Sequence, residues 1–269
     1  MPGVTFVVNR SLVKGGGPLL ALCREAAARH GWDAELLVTE KAEAGVAAAS
    51  GAALDGADLV VAVGGDGTVR GCAEGLAGTG VPLGIVPQGT ANLLARTLRI
   101  SGQPRDALAV ALAPAGGGDR TIDLAVADGV PFTAMAGMGL DAAVVAGTRM
   151  KHRFGWLAYA VSGAAHLAVR PAAFAIRLDD GVLDVGVLAP HGPFGWPRLA
   201  ARVLTHDHRQ DGMLERFRAR KVEITATEPL PREVDGEIIP AGRTLTVTVR
   251  PVALLVRAPA KPSLDRVDI

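Results

Sequence analysis

The residues most able to do chemistry follow one apolar run. Asp58 to Val63 (DLVVAV) leads straight into Gly64-Gly65-Asp66-Gly67-Thr68, and a helical pattern follows. Three glycines carry no Cβ, so the backbone there can come close to a ligand. A loop opening onto a helix N-terminus offers free N–H groups and a positive dipole end to an anion. Asp66 alone would repel a phosphate. It makes sense if Mg²⁺ lies between its carboxylate and phosphate oxygens. The plainer alternative is a tight strand-to-helix turn with an aspartate cap. A second loop holds the same position after the next strand: Leu83 to Val86 runs into Pro87-Gln88-Gly89-Thr90-Ala91-Asn92. Thr90 or Asn92 could simply cap the helix that follows, or both could also bond a nucleotide. The chain has only two asparagines, Asn9 and Asn92, and both follow a predicted apolar strand.

These loops need elements to carry them. Thr5 to Val8, Ala34 to Thr39, Asp58 to Val63 and Leu83 to Val86 read as strands. Pro18 to His30, Glu43 to Ala53, Val69 to Leu76 and Thr90 to Leu98 read as helices between or after them. Leu19, Leu22 and Ala26 form the apolar side of the first helix. Such alternation predicts an α/β layer with a parallel sheet. Ligands bind such sheets outside the carboxyl ends of the strands. Four loops therefore share one edge: Asn9 to Gly17 with Lys14 and its glycines, the neighbourhood of Thr39, Gly64 to Thr68, and Pro87 to Asn92. They form a phosphate cradle without a Walker sequence.

After Gly116-Gly117-Gly118 the pattern changes. Ile122 to Ala127 and Phe132 to Ala136 read as strands joined by Asp128-Gly129, and Leu140 to Leu167 as helix. Short strands then dominate: Ala173 to Leu178, Leu183 to Leu188, Lys221 to Ala226, Thr244 to Val249 and Ala253 to Val256. Pro, Gly and Asp punctuate them, as in an antiparallel β domain. The predicted division is residues 1–119, with 258–269 as a candidate completing tail, and residues 120–257.

Composition narrows the function. The 269 residues carry 28 Lys plus Arg and 27 Asp plus Glu, a net charge of +1. Bulk nucleic-acid binding needs a basic excess, so no nucleic-acid partner is expected. With 49% apolar and 20% charged residues, disorder is excluded. Cys23 and Cys72 are too few for a disulfide framework or metal cluster and read as small buried hydrophobes. No secretory pattern is visible over residues 1–9, and a spanning helix needs about 20 mostly apolar residues. The charge-free run from Gly75 to Ala95 is broken by Pro82, Pro87 and glycines, and Phe154 to Val169 is short. The expectation is a cytoplasmic protein, peripheral to the membrane.

Taken together, Gly64-Gly65-Asp66-Gly67-Thr68 and Pro87-Gln88-Gly89-Thr90-Ala91-Asn92-Leu93-Leu94-Ala95-Arg96 resemble the diacylglycerol kinase catalytic domain family, which includes bacterial lipid kinases and sphingosine and ceramide kinases. The resemblance extends across nearly the whole chain. Ala136-Gly137-Met138-Gly139-Leu140-Asp141 resembles the segment entering that family's second domain. Asp180-Gly181-Val182-Leu183-Asp184 resembles its metal-binding turn, and Val234-Asp235-Gly236-Glu237 its late Asp-Gly-Glu loop. The resemblance implies a Rossmann-like α/β domain that binds ATP, followed by an antiparallel β-sandwich, with the active site in the cleft between them. It implies an ATP- and Mg²⁺-dependent lipid kinase acting on a hydroxyl of a membrane lipid. Diacylglycerol is the default acceptor; sphingoid bases, ceramide, phosphatidylglycerol and prenols are the other options. Glu237 would be the proton acceptor. Asn9, Thr39, Gly64, Gly65, Asp66, Gly67, Thr68, Arg70, Thr90 and Asn92 would contact ATP. Asp180, the backbone at Val182 and Asp184 would hold a structural Mg²⁺. A homodimer is a further option.

Phosphoryl transfer fits this residue set, because it needs positioning and charge neutralisation more than covalent help. For Asp235-Gly236-Glu237 the plain alternative is a β-turn with exposed acids. Three departures from the family pattern stand out. Arg10 follows Asn9 where the family has proline, and the glycines of that loop come later. Phe174 to Asp184 is compressed, so Asp179, Asp180 or Asp184 could serve the metal. Arg70 stands where relatives often have asparagine.

Elsewhere, Phe154 to Tyr159 beside Arg149, Lys151 and Arg153, and the run Arg216, Arg218, Arg220 and Lys221, are either membrane-facing or plain structural surface. His206 and His208 read as an exposed loop. Two other functions remain in view. An NAD kinase shares the glycine loop but needs an Asn-Glu pair, which neither asparagine supplies. A non-catalytic lipid- or nucleotide-binding regulatory module would fit the altered first loop, but it would not need Asp66 and Glu237.

Overall fold

The computed structural model describes residues 1–13, 17–40, 42–114, 118–139, 172–176, 180–188 and 214–259. The predicted helix at Leu140 to Leu167, the Phe154 to Tyr159 stretch, Lys14, Gly15, Gly16, Asp179, His206, His208 and the tail beyond residue 259 lie outside them. The chain divides into two compact units. One contains Met1–Leu124 and resumes at Arg250, with Asp180 grouped to it. The other contains residues from Ala125 to Val249. The break falls inside a strand, a few residues past the expected boundary at 119.

In the first unit, β1 (Gly3–Asn9), β2 (Asp33–Thr39), β3 (Leu59–Gly64) and β4 (Leu83–Pro87) pair in parallel in the order β4-β3-β1-β2. The register sets Phe6 beside both Leu36 and Val61, and Val63 beside Val86. β3 is buried at every position. That fits a strand covered on both faces, which reads as a continuous apolar run. β2 is an edge strand and alternates, with Asp33, Glu35 and Val38 exposed.

The helices are α1 (Arg10–Val13), α2 (Pro18–Arg29), α3 (Ala42–Leu54), α4 (Asp66–Leu76), α5 (Leu93–Thr97) and α6 (Pro104–Ala111). Pro18 sits in the first turn of α2, where no intrahelical N–H is lost. Cys23, Ala26 and Ala27 are its fully buried positions, with Leu19 and Leu22 packed partly buried beside them. The helix α4 begins at Asp66, three residues before the position expected from periodicity, because Gly65 is already its N-cap. The helix α6 carries Pro104 in its first turn and buries Ala107, Leu108 and Ala111; periodicity had not singled it out.

Of three further strands, two contribute residues to both units, β5 (Asp119–Ala127) and β12 (Glu237–Arg257), and β11 (Lys221–Val234) belongs to the second. The final residues of β12 complete the parallel sheet, with Val256 opposite Leu83 on β4. Arg257 anchors that return. It is 2% exposed, lies 5.8 Å from the Trp32 ring centroid, and donates to both Asp119 oxygens at 2.7 and 3.0 Å. Its guanidinium also reaches the carbonyls of Ala111 and Ala113. Planar two-pronged pairing of this kind suits arginine.

The second unit is antiparallel. β6 (Val130–Phe132) pairs with β5 across Asp128-Gly129. β7 (Met135–Met138), β8 (Ala172–Ile176), β9 (Leu183–Leu188) and β10 (Leu214–Ala219) continue the sheet. β11 joins β7 on one side and β12 on the other. Its core gathers Ala125, Ala127, Phe132, Ala136, Met138, Leu183, Val185, Val234, Leu245 and Val247. The strands expected at Thr244 to Val249 and Ala253 to Val256 are one strand, β12. Pro251 removes one ladder donor, and the next amide, Val252 N–H, donates to Asp123 Oδ1 at 2.8 Å. A side chain thus supplies the partner where the prediction ended the strand.

Candidate active site

All the nucleotide-side candidates lie in the first unit, at the carboxyl ends of its parallel strands. Asn9 ends β1, Thr39 ends β2, Gly64 ends β3, and the Pro87 loop follows β4. The sheet order turns back at β1 and β3, the topological switch where open α/β sheets bind ligands. Asn9 spans that point. Its Oδ1 accepts from the Ser11 amide at 2.9 Å and the Ser11 hydroxyl at 2.6 Å, and its Nδ2 donates to Thr68 Oγ1 at 3.4 Å. Asn9 thereby ties the first loop to the glycine loop. Arg10, in place of proline, opens α1 and pairs with Glu40.

The two glycine loops touch each other. A Cβ on Gly89 would stand 2.6 Å from Gly65 Cα and 2.8 Å from Asn92 Oδ1. Gly89 cannot hold a side chain while the loops keep this spacing, because the opposing atom is backbone, and a Cβ on Gly65 would be tight at 3.2 Å from Gly89 Cα. A Cβ on Gly64 would likewise meet Thr68 Oγ1 at 2.5 Å. The Gln88 amide donates to the Gly64 carbonyl at 2.8 Å, which continues the strand pairing into the loops.

Asp66 joins the loops by its side chain. Its Oδ2 accepts from the Asn92 amide at 2.9 Å and its Oδ1 from the Leu93 amide at 2.6 Å. These are first-turn donors of α5, which otherwise lack intrahelical partners. Asp66 therefore caps the neighbouring helix rather than its own. Asn92, at φ 49°, makes a closed clip with Gly89: its Oδ1 accepts from the Gly89 amide and its Nδ2 donates to the Gly89 carbonyl. The side chains of Asp66 and Asn92 shape the loop, while Gly89 and Thr90 are exposed at its tip. Thr39 and Thr68 are buried, and Gly67 and Arg70 are half-buried. A carboxylate has about four lone-pair sites. With one bond per oxygen, Asp66 keeps acceptor capacity that suits a hard cation.

The second unit holds the late loop. Val234 faces Glu237 in register, so Asp235 and Gly236 form a two-residue turn between β11 and β12. Their φ values, 46° and 79°, are those of a type I′ hairpin. The segment is a β-turn, as the plain alternative expects, but its acids are not exposed: Asp235 is 5% exposed and Glu237 half-buried, and the preceding Glu233 is 0% exposed. Asp235 Oδ2 accepts from the Thr133 amide (2.9 Å) and hydroxyl (3.1 Å). Its Oδ1 accepts from the Ala134 (2.9 Å) and Met135 (3.0 Å) amides. Burial pushes its carboxyl above the usual carboxylate range, and the four donors offset only part of that rise. Glu233 accepts from the Gly236 amide at 2.8 Å. Glu237 follows this turn, half-buried, as the first residue of β12.

The metal-turn candidates are spread out along their segment. Asp180 is exposed, Gly181 has φ 69°, and Val182 is half-buried. Asp184 lies on β9 opposite Arg218, whose Nε is 3.4 Å from Oδ1. Among the described residues, no three His, Cys, Asp or Glu side chains converge as a metal-holding group. Among them, too, no helix is long and apolar enough to cross a membrane.

Comparison with known proteins decides the family. Residues 4–127 match the diacylglycerol kinase catalytic domain, and residues 167–258 match the YegS C-terminal NAD kinase beta sandwich-like domain. A "Probable lipid kinase YegS-like" protein of Pseudomonas fluorescens Pf-5 is 31% identical, covering 87% of this chain and 89% of its own. The chain belongs to the diacylglycerol kinase family. A second relative of the same description, from Pseudomonas aeruginosa UCBPP-PA14, is 32% identical over 90% of this chain and 88% of its own. A solved structure from Bacillus anthracis Sterne, described as a candidate diacylglycerol kinase, superposes with a TM-score of 0.72 at 19% identity. It covers 95% of this chain and 97% of that one. Membership agrees with the expected enzyme class, a phosphotransferase with an alcohol acceptor, and with an α/β domain followed by a β-sandwich-like one.

Sequence reasoning singled out the loops but missed what Asp235, Glu233 and Asn9 do inside them. Asp235 carried a usable signal, since Asp-Gly between alternating strands is a strong hairpin mark. Nothing in the sequence announces that Glu233 is buried.

Proposed function

We propose that this kinase is ATP- and Mg²⁺-dependent and phosphorylates a hydroxyl of a membrane lipid, with diacylglycerol as the default acceptor. The observation that supports this best is the pair of glycine loops at the ends of β3 and β4, next to the β1/β3 switch. Two strands deliver Gly65 and Gly89 into van der Waals contact, and an aspartate fixes the second loop to the first. A side chain on Gly89 could not fit that contact, so the backbone itself is the surface offered to phosphate oxygens. Asp66, with its spare lone pairs, is the residue that would hold Mg²⁺ on the triphosphate, where the ion neutralises charge on the phosphate oxygens.

In the reaction, a lipid hydroxyl oxygen forms a bond to the terminal phosphorus of ATP. The bond from that phosphorus to the bridging oxygen breaks, and ADP leaves. Glu237 takes the hydroxyl proton. A positioned base of this kind contributes roughly 10²–10⁴-fold in rate. Thr39, Thr68, Arg70, Thr90 and Asn92 line or shape the nucleotide side. Asp180 and the Val182 carbonyl are retained as candidates for a structural Mg²⁺. Asp184 is a poorer one, because its carboxylate faces Arg218.

The test is phosphate transfer from labelled ATP with Mg²⁺ in mixed micelles. Acceptors are diacylglycerol, sphingosine, ceramide, phosphatidylglycerol and a prenol, with NAD as soluble control. The expected result is a labelled lipid whose signal falls about 10²-fold or more in Glu237→Gln. Label on NAD alone, or on nothing while ATP still binds, overturns the reading.

A further inference from the structure

The turn before Glu237 is held by two acids that are almost fully shielded from solvent. Asp235 occupies a left-handed backbone position, which asparagine tolerates at least as well as aspartate. Yet aspartate stands there, 5% exposed, at the cost of burying a carboxylate. Its surroundings give the reason. Each oxygen accepts two hydrogen bonds, from the Thr133 amide and hydroxyl on one side and from the Ala134 and Met135 amides on the other. All four partners donate. An asparagine would turn an NH₂ group toward one of these donor pairs whichever way it flipped. The site is thus specific for two acceptor oxygens.

The clamp reaches further along the same hairpin. The Asp235 amide donates to the Met135 carbonyl at 2.8 Å, so backbone and side chain of one residue both grip Thr133 to Met135. Glu233, fully buried, accepts from the Gly236 amide. Both turn residues are therefore fixed by carboxylates, and the next residue is Glu237.

We infer that Asp235, supported by Glu233, is a positioning residue that sets the direction of Glu237 in the phosphoryl-transfer step. This rests on Glu237 being the base. Asp235 touches backbone and Thr133 and acts only through the turn.

The experiment is a double-mutant cycle on the full chain: wild type, Asp235→Asn, Glu237→Gln and the combination, with Thr133→Val as a milder variant. Transfer from labelled ATP to micellar diacylglycerol gives kcat and the KM for ATP, and thermal unfolding in the same buffer gives the folded fraction. Asp235→Asn is expected to lower kcat by about 30-fold or more with the ATP KM within about 2-fold. In the Glu237→Gln background it should remove less than about 3-fold further, because residues acting as one unit are not additive. Thr133→Val, which removes one of the four bonds, should lower kcat less and should also lose its effect in that background. It carries the test if Asp235→Asn does not fold. Losses that multiply fully across the two backgrounds would make Asp235 a general structural residue and overturn the inference. So would an unchanged kcat in Asp235→Asn while Glu237→Gln is inactive, which leaves the base assignment standing. An unchanged rate in Glu237→Gln removes the base and this inference together.

Discussion

Replacing Asp66 by asparagine separates two roles that one carboxylate can play. If Asp66 served only a metal on the triphosphate, the protein without nucleotide would not need it. The geometry says otherwise, because the Asn92 and Leu93 amides each donate to one of its oxygens at 2.9 and 2.6 Å. Asparagine keeps one acceptor and turns a donor toward the other amide. The loss is one hydrogen bond to a charged group, worth about 1.5–3 kcal/mol, with an amide left facing a donor. Asp66 is half-buried, so water relieves part of that conflict, and about 2 kcal/mol is the reasonable net figure. For a chain of this size each kcal/mol moves Tm by roughly 2–4 °C, so the nucleotide-free protein should melt about 4–8 °C lower. The assay is thermal unfolding of wild type and Asp66→Asn, each with and without excess ATP and Mg²⁺. In wild type, ligand at about 100 times Kd should add about 2.7 kcal/mol, and the variant should lose most of that as well. A nucleotide-free Tm that stays put or rises, with only the ligand shift lost, would refute the capping role and leave Asp66 as a metal residue alone.

Two other expectations concern the same unit. Gly89→Ala would push a methyl to 2.6 Å from Gly65 Cα, so the loops must part; ATP-induced stabilisation should largely vanish while the rest of the fold persists, and a normal ATP shift would show that the contact is dispensable. Burial pushes the Cys23 thiol up to about 11 and Cys72 up to about 12, so neither should react with a thiol reagent at pH 7–8 until the protein is unfolded. Both folded values lie above the unfolded one, so the stability these thiols contribute is complete below about pH 9 and drains away as pH climbs toward 11–12. Rapid labelling of the native protein at pH 7, or undiminished stability at pH 11, would contradict the burial.

The first unit was legible because its signals are local and repeated. Buried parallel strands such as Leu59–Gly64 are continuous apolar runs, and each predicted strand of this half appears within a residue or two of its expected place. The glycine loops announced themselves by composition. The second unit was read less well because its decisive features are long-range. The strand Glu237–Arg257 looked like two, since Pro251 interrupts the pattern and only a distant side chain, Asp123, supplies the partner for the next amide. The strand Leu214–Ala219 has Arg216 and Arg218 between its apolar residues and was read as a basic run. Its register against Leu183–Leu188, with Arg218 beside Asp184, shows that one of these cations is spoken for by a neighbouring strand.

The acids show where such reading stops. Asp66, Asp235 and Glu237 stand in motifs whose letters point to metal and proton chemistry, yet two of the three spend their oxygens on backbone amides. Asp66 holds the start of the helix Leu93–Thr97, and Asp235 holds Thr133 to Met135. A carboxylate offers several lone pairs at a fixed angle, so it is as well suited to gather the free amides of a turn as to meet a cation. Sequence distance hides which use is made, because the amides that Asp235 gathers lie about a hundred residues away along the chain. In this family member Asp66 and Asp235 build the loops in which the motifs stand. Only Glu237, half-buried at the head of its strand beyond the clamped turn, follows the acids that fix that turn.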